Sequence, residues 1–160
     1  MDLKKRHPLR AKEAKKIIGE IEKKLKCNVF YTRSIEIAIM GEYKILLIDG
    51  EMDIVIVNEI PFLTLHGIKK YKPEKKFVIV DKGAVPFIVK GADVMAPGII
   101  NADYEIKKGE MVWVRNEEGT PLAIGTALID GKEMVKGRKG KAVKNIHHLG
   151  DTLWATSTSL

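Results

Sequence analysis

Apolar residues recur at helical spacing near the start of the chain: Ala11, Ala14, Ile17, Ile18, Ile21 and Leu25 fall on one face. This spacing predicts an amphipathic helix over residues 9–25, with Pro8 in its first turn and Lys12, Lys15, Lys16, Lys23 and Lys24 on the outer face. The period then changes. Residues 29–31, 35–39, 43–48 and 54–57 are short β-rich runs, and Gly41-Glu42 and Asp49-Gly50 stand where hairpin turns are needed. The first part therefore reads as a helix followed by a β-meander. Pro61 and the polar run Lys69 to Lys76 break the pattern, and this run, containing Pro73, is the expected domain boundary.

The second part opens with the buried-type strand Phe77 to Val80. Residues 84–90 read as two helical turns closed by Gly91, followed by extended Val94-Met95 and a turn at Ala96-Pro97-Gly98. Met111 to Val114 and Leu122 to Ile129 read as strands, with a turn at Glu118-Gly119 and a hairpin signal at Asp130-Gly131. Further strands are expected at Glu133 to Val135, Ala142 to Ile146 and Leu153 to Ala155. Many short strands with glycine turns predict a small barrel. The fold class is α+β, with domains at 1–75 and 76–160.

At 160 residues the chain is long enough to bury a core without covalent staples. Its single cysteine, Cys27, excludes an intramolecular disulfide framework and any multi-cysteine zinc pattern, and a buried thiol in a reducing, cytoplasmic setting is expected. No signal-like or membrane-spanning apolar run is present. The net charge of +7 is unevenly placed. Residues 1–76 hold 17 Lys+Arg against 11 Asp+Glu, whereas the remainder holds 11 against 10. A basic N-terminal part points to a polyanion partner, with nucleic acid the first choice.

Several local patterns fail on their own chemistry. Asp49 to Asp53 opens like a calcium loop, but Ile60 stands where the closing glutamate belongs, so a solvated hairpin turn is expected. Gly125 to Lys132 ends like a phosphate loop but has the wrong spacing, and Glu133 replaces the magnesium-binding hydroxyl. Gly137-Arg138-Lys139-Gly140 looks like a KH-type clamp, but both flanks read as β. A basic hairpin tip, Lys136 to Lys144, is left, which reads equally as a contact of Arg138, Lys139 and Lys141 with phosphates or as a plain solvated turn. His147 and His148 would point to opposite faces of a strand, which works against shared metal ligation. Trp113 and Trp154 read as core. No catalytic constellation, metal site or cofactor site is assembled by the sequence.

The informative segment runs from Val80 to Ile99. Gly83, Gly91 and Gly98 punctuate one short helix, Pro97 stiffens the last turn, and Lys82 and Lys90 add positive charge. This describes a shaped groove or, equally, a tightly packed corner. Val80-Asp81-Lys82-Gly83-Ala84, the stretch Gly91 to Gly98, the strand Ala123 to Ala127 and the closing run Asn145 to Trp154 together resemble the PUA domain over about residues 77–156. The combination is similar to that of the two-domain family of the malignant T-cell amplified sequence and ligatin-type translation factors and their archaeal relatives. Residues 1–72 resemble that family's N-terminal, pre-PUA domain in length and layout.

The resemblance implies an N-terminal helix-plus-meander pre-PUA domain followed by a C-terminal PUA pseudo-barrel of mixed β structure. It implies a non-enzymatic, translation-related RNA-binding protein. The expected partners are tRNA or rRNA, the small ribosomal subunit and a separate protein of initiation-factor-one-like fold. The residues expected to hold an RNA end are Lys82, Gly83, Lys90, Gly91, Ala92, Met95, Pro97 and Gly98. One alternative is an accessory RNA-binding subunit in RNA modification or ribosome biogenesis. The other, an enzyme or small-molecule binder on a PUA-like barrel, would need clustered Cys, His or acidic groups.

Overall fold

The computed structural model describes residues 2–160. They form two compact units, one built from the chain up to Glu74 together with Thr152–Leu160, the other from Lys75–Asp151. The boundary falls within the polar run. Residues 152–160 differ from the expected division, because they fold with the first unit and not with the second.

The first unit is a five-stranded antiparallel meander in sequence order: β1 (Lys4–Pro8), β2 (Ile35–Met40), β3 (Tyr43–Ile48), β4 (Glu51–Val57) and β5 (Ile60–Leu63). Helices α1 (Ala11–Leu25), α2 (Leu65–Tyr71) and α5 (Thr152–Thr158) complete it. Ala14, Ile18, Ile21 and Leu25 bury the predicted stripe of α1. Ile45 to Ile48 are all fully buried, so the centre of β3 is covered on both faces. Asp49 and Gly50 both have positive φ, as do Asn58 and Glu59, giving the backbone that two-residue hairpins require.

Four expectations change here. Pro8 ends β1 instead of opening α1, and β1 is an exposed, basic edge strand, a composition that discourages edge-to-edge pairing. Residues 29–31 are irregular. Pro61 lies inside β5, the last strand of the sheet, where a missing donor is tolerated. Leu153–Ala155 is helical, part of α5, which packs on α2. Trp154 is therefore half-buried under Lys69, whose Nζ lies 5.4 Å from the ring centre, and is not a strand core residue.

The second unit is a mixed six-stranded sheet of order β7-β11-β10-β9-β6-β8, curled around one core. Its strands are β6 (Phe77–Val80), β7 (Val94–Met95), β8 (Ile99–Ala102), β9 (Met111–Arg115), β10 (Pro121–Ala127) and β11 (Lys141–His148). Among the described residues β6 and β9 pair in parallel, and the other neighbouring strands of this sheet are antiparallel. Helix α3 (Val85–Ile88) lies between β6 and β7, and α4 (Gly131–Lys136) between β10 and β11. Val78, Val80, Ile88, Val94, Val112, Val114 and Met134 are among the core. Trp113 is buried in β9, as expected, and its indole N–H donates to the Lys75 carbonyl at 2.8 Å.

Two readings of this unit are corrected. Asp130-Gly131 starts α4 instead of a hairpin, and Glu133–Val135 is helical. Gly131 is needed there for packing: a Cβ would lie 2.1 Å from the Asp103 carbonyl oxygen. Consequently Gly137 to Gly140 connects a helix to a strand and is not a hairpin tip. His147 is buried and His148 half-exposed, the opposite facing expected, and His147 Nδ1 lies 2.8 Å from Asp151 Oδ2.

Candidate nucleic-acid interface

The glycine punctuation around α3 produces a concave site of about 620 Å³. Asp81 follows β6 and folds back. Its N–H donates to the Gly98 carbonyl at 2.9 Å, joining the two ends of the segment. Its carboxylate Oδ1 accepts from the Ala84 N–H at 3.0 Å, turning the chain into α3. Gly98 has little room beside Ala84, since a Cβ at Gly98 would lie 3.1 Å from that of Ala84. Gly91 closes α3 with φ +98, a backbone region that side chains disfavour.

On the other side β11 anchors the site. Asn145 Nδ2 donates to the carbonyls of Ile88 at 3.1 Å and Ala92 at 3.0 Å. The Asn145 N–H donates to Asp93 Oδ1 at 2.9 Å, and Lys141 Nζ lies 3.2 Å from Asp93 Oδ2. The Asn145 backbone donor, joined by the Lys141 ammonium, holds the Asp93 carboxyl below its usual range, so it is charged at neutral pH.

The lining is mostly apolar: Ala84, Phe87, Ile88, Ala92, Val94, Met95, Pro97 and the glycines Gly83 and Gly98. Its charged members are Asp81, Asp93 and Lys141. Phe87 is 67% exposed and Met95 46%, unusual for side chains of this size. Such a surface offers flat apolar contact to a base, with carboxylate oxygens placed to accept from exocyclic amines or ribose hydroxyls.

Of the expected residues, Gly83, Ala92, Met95, Pro97, Gly98 and Lys141 line this groove together. Lys82 and Gly91 adjoin lining residues in the chain and Lys90 stands two residues from Ile88 and Ala92, but none of the three is part of the wall. Lys82 and Lys90 are exposed. Arg138 and Lys139 are exposed on the α4–β11 connection, also outside the wall. Sequence reasoning missed Phe87, Asp81 and Asp93. An aromatic and an acid are ordinary core and surface residues until the backbone exposes one and tethers the other. A phenylalanine between two glycine turns was the available signal.

The PUA domain family matches residues 76–149, and a domain of unknown function, DUF1947, matches residues 5–71. An uncharacterized protein of Methanocaldococcus jannaschii is 40% identical over 96% of this chain and 98% of its own. Malignant T-cell-amplified sequence 1 of Rattus norvegicus is 32% identical over 72% of this chain and 66% of its own. The chain belongs to this two-domain PUA family. Another relative, translation machinery-associated protein 20 of Schizosaccharomyces pombe, is 40% identical over 49% of this chain. The match covers only 46% of that relative's length. The family fold extends over both units: the crystal structure of a hypothetical protein from Pyrococcus horikoshii has a TM-score of 0.82 and 34% identity, covering 95% of this chain and 99% of that one. Among the described residues no helix is long and apolar enough to cross a membrane.

Proposed function

We propose that this PUA-family protein is a non-catalytic RNA-binding factor of the translation apparatus, and that its groove holds the exposed end of a structured RNA such as the tRNA acceptor 3′ end. The observation carrying this reading is the groove itself, where exposed Phe87 and Met95 stand beside the tethered carboxylate of Asp93. A terminal base would stack on the apolar wall, and its polar edge or ribose would donate to Asp81 or Asp93. The phosphates leading to it would meet the exposed cations Lys82, Lys90, Arg138 and Lys139, which fix position without reading sequence. Lys141 belongs to both roles, lining the wall while paired with Asp93.

The lysine-rich N-terminal helix α1 would add a second, less specific contact to tRNA or rRNA on the small ribosomal subunit. The relatives of translation-related name support that setting. A separate protein of initiation-factor-one-like fold would complete the assembly, acting in the cytoplasm.

The test is charge reversal beside the groove. Lys82→Glu with Lys90→Glu is expected to weaken tRNA binding and to lower its salt dependence, because fewer counterions are released. Both side chains are exposed, so the circular dichroism spectrum should stay native. Unchanged affinity in a natively folded double variant would refute the assignment of phosphates to this rim.

A further inference from the structure

Glu51 and Asp53 lie two residues apart on β4, and although a bulge at Asp53 interrupts the pairing with β3, one side chain, Lys70, reaches both carboxylates. Helix α2 packs on β4. It comes unusually near because of Gly67: a Cβ there would sit 2.2 Å from the Asp53 carbonyl oxygen. That approach sets the preceding residue, His66, over both acids. Its Nε2 is 2.8 Å from Glu51 Oε1 and 3.8 Å from Asp53 Oδ1.

The outer oxygens are already engaged. Lys70 Nζ donates to Glu51 Oε2 at 2.8 Å and to Asp53 Oδ2 at 2.9 Å. The Tyr71 hydroxyl also donates to Asp53 Oδ2. Each carboxylate thus gives one oxygen to an orienting donor and turns the other towards His66, the division by which outer contacts aim metal ligands.

Asp53 Oδ1 decides the matter. The Asp53 side chain is fully buried, and Oδ1 accepts no hydrogen bond. His66 Nε2, 3.8 Å away across the cluster, is too distant to donate to it. A buried acceptor in this position costs free energy unless a cation meets it. Two carboxylates against one ammonium leave the cluster one net negative charge when the imidazole is neutral.

We propose that Glu51 Oε1, Asp53 Oδ1 and His66 Nε2 form a binding site for a divalent transition metal, zinc fitting best, that fastens α2 to β4. The three atoms lie within 4.8 Å of one another. Tetrahedral bonds of about 2.0–2.2 Å set ligand atoms roughly 3.4 Å apart, so binding asks small opposite shifts of the two His66 distances and an approach of the two carboxylate oxygens to the same spacing. Glu51, with a 47% exposed side chain, is the member free to adjust. A mixed nitrogen and oxygen set suits zinc better than calcium or magnesium, which favour oxygen alone. This site is independent of the groove and stands whether or not the groove binds RNA.

The test uses the full chain freed of metal with a chelator. Zinc chloride titrated calorimetrically is expected to bind one ion per chain and to raise Tm. Cobalt(II) should give visible absorption bands of four-coordinate geometry. His66→Gln keeps the helix and removes the nitrogen ligand, and Asp53→Asn keeps the shape and removes the charge. Each should weaken zinc at least ~10-fold. No stoichiometric zinc binding by the native protein would overturn the site, as would zinc affinity unchanged in folded His66→Gln.

Discussion

Gly125 stands where β10 changes register against β11, and a Cβ there would lie 2.2 Å from the Lys144 carbonyl oxygen. Backbone cannot yield as a flexible side chain does, so Gly125→Ala should cost about 1–3 kcal/mol in urea unfolding. A loss below about 0.5 kcal/mol would show that the two strands separate easily. Cys27 is half-buried, and burial, reinforced by the charge of Glu22, pushes its thiol up to about 11. At pH 8 the native protein should therefore react with iodoacetamide far more slowly than the urea-unfolded chain, since the thiolate is the nucleophile. Equal rates would contradict this environment. Asp93 works in the opposite direction. Its carboxyl is lowered in the fold, so its contribution is complete above the ordinary carboxylate value of about 4 and disappears as pH falls through the lower folded value. Asp93→Asn should flatten that acid limb of the stability curve. An identical acid limb in the variant would mean that the Asn145 and Lys141 contacts do not favour the charged form.

At the level of elements, the groove wall is made by α3 and its flanking turns, and Phe87 is its most exposed large side chain there at 67%. Phe87→Ala should leave folding stability within about 0.5 kcal/mol. If a base stacks on the ring, RNA binding should weaken by about 1–3 kcal/mol. Binding unchanged by this variant would remove stacking from the account. The same scale explains what the sequence revealed. The long amphipathic α1 and the apolar runs of β3, β4, β6 and β9 were legible because each carries a sustained pattern. Helices α2, α4 and α5 span only six or seven residues, too few turns to separate a helical period from an alternating one. β1 was invisible for a different reason: all five of its residues are exposed, so no buried face marks it. The groove was half legible. Glycines and Pro97 announced the turns, but the tether of Asp93 to Asn145 joins positions 52 residues apart. The acids and His66 on β4 and α2 were concealed likewise: sequence showed a failed calcium loop, and only the packing allowed by Gly67 brings the histidine to them.

For the whole molecule, the excess of positive charge and the groove divide the expected work. Charge alone gives salt-sensitive binding to any RNA. The apolar wall and its tethered carboxylate are the parts that could distinguish one RNA end from another. The basic residues are spread over both units, 15 Lys+Arg against 11 Asp+Glu in the first and 13 against 10 in the second, whereas the groove lies in the second alone. Binding should accordingly have a component lost at higher salt and a component that persists. The decisive measurement is binding to mature tRNA and to the same tRNA lacking its 3′ CCA, at two salt concentrations. A preference for the intact end that survives the higher salt is the predicted result. Equal and uniformly salt-sensitive binding to both RNAs would contradict end recognition by the groove.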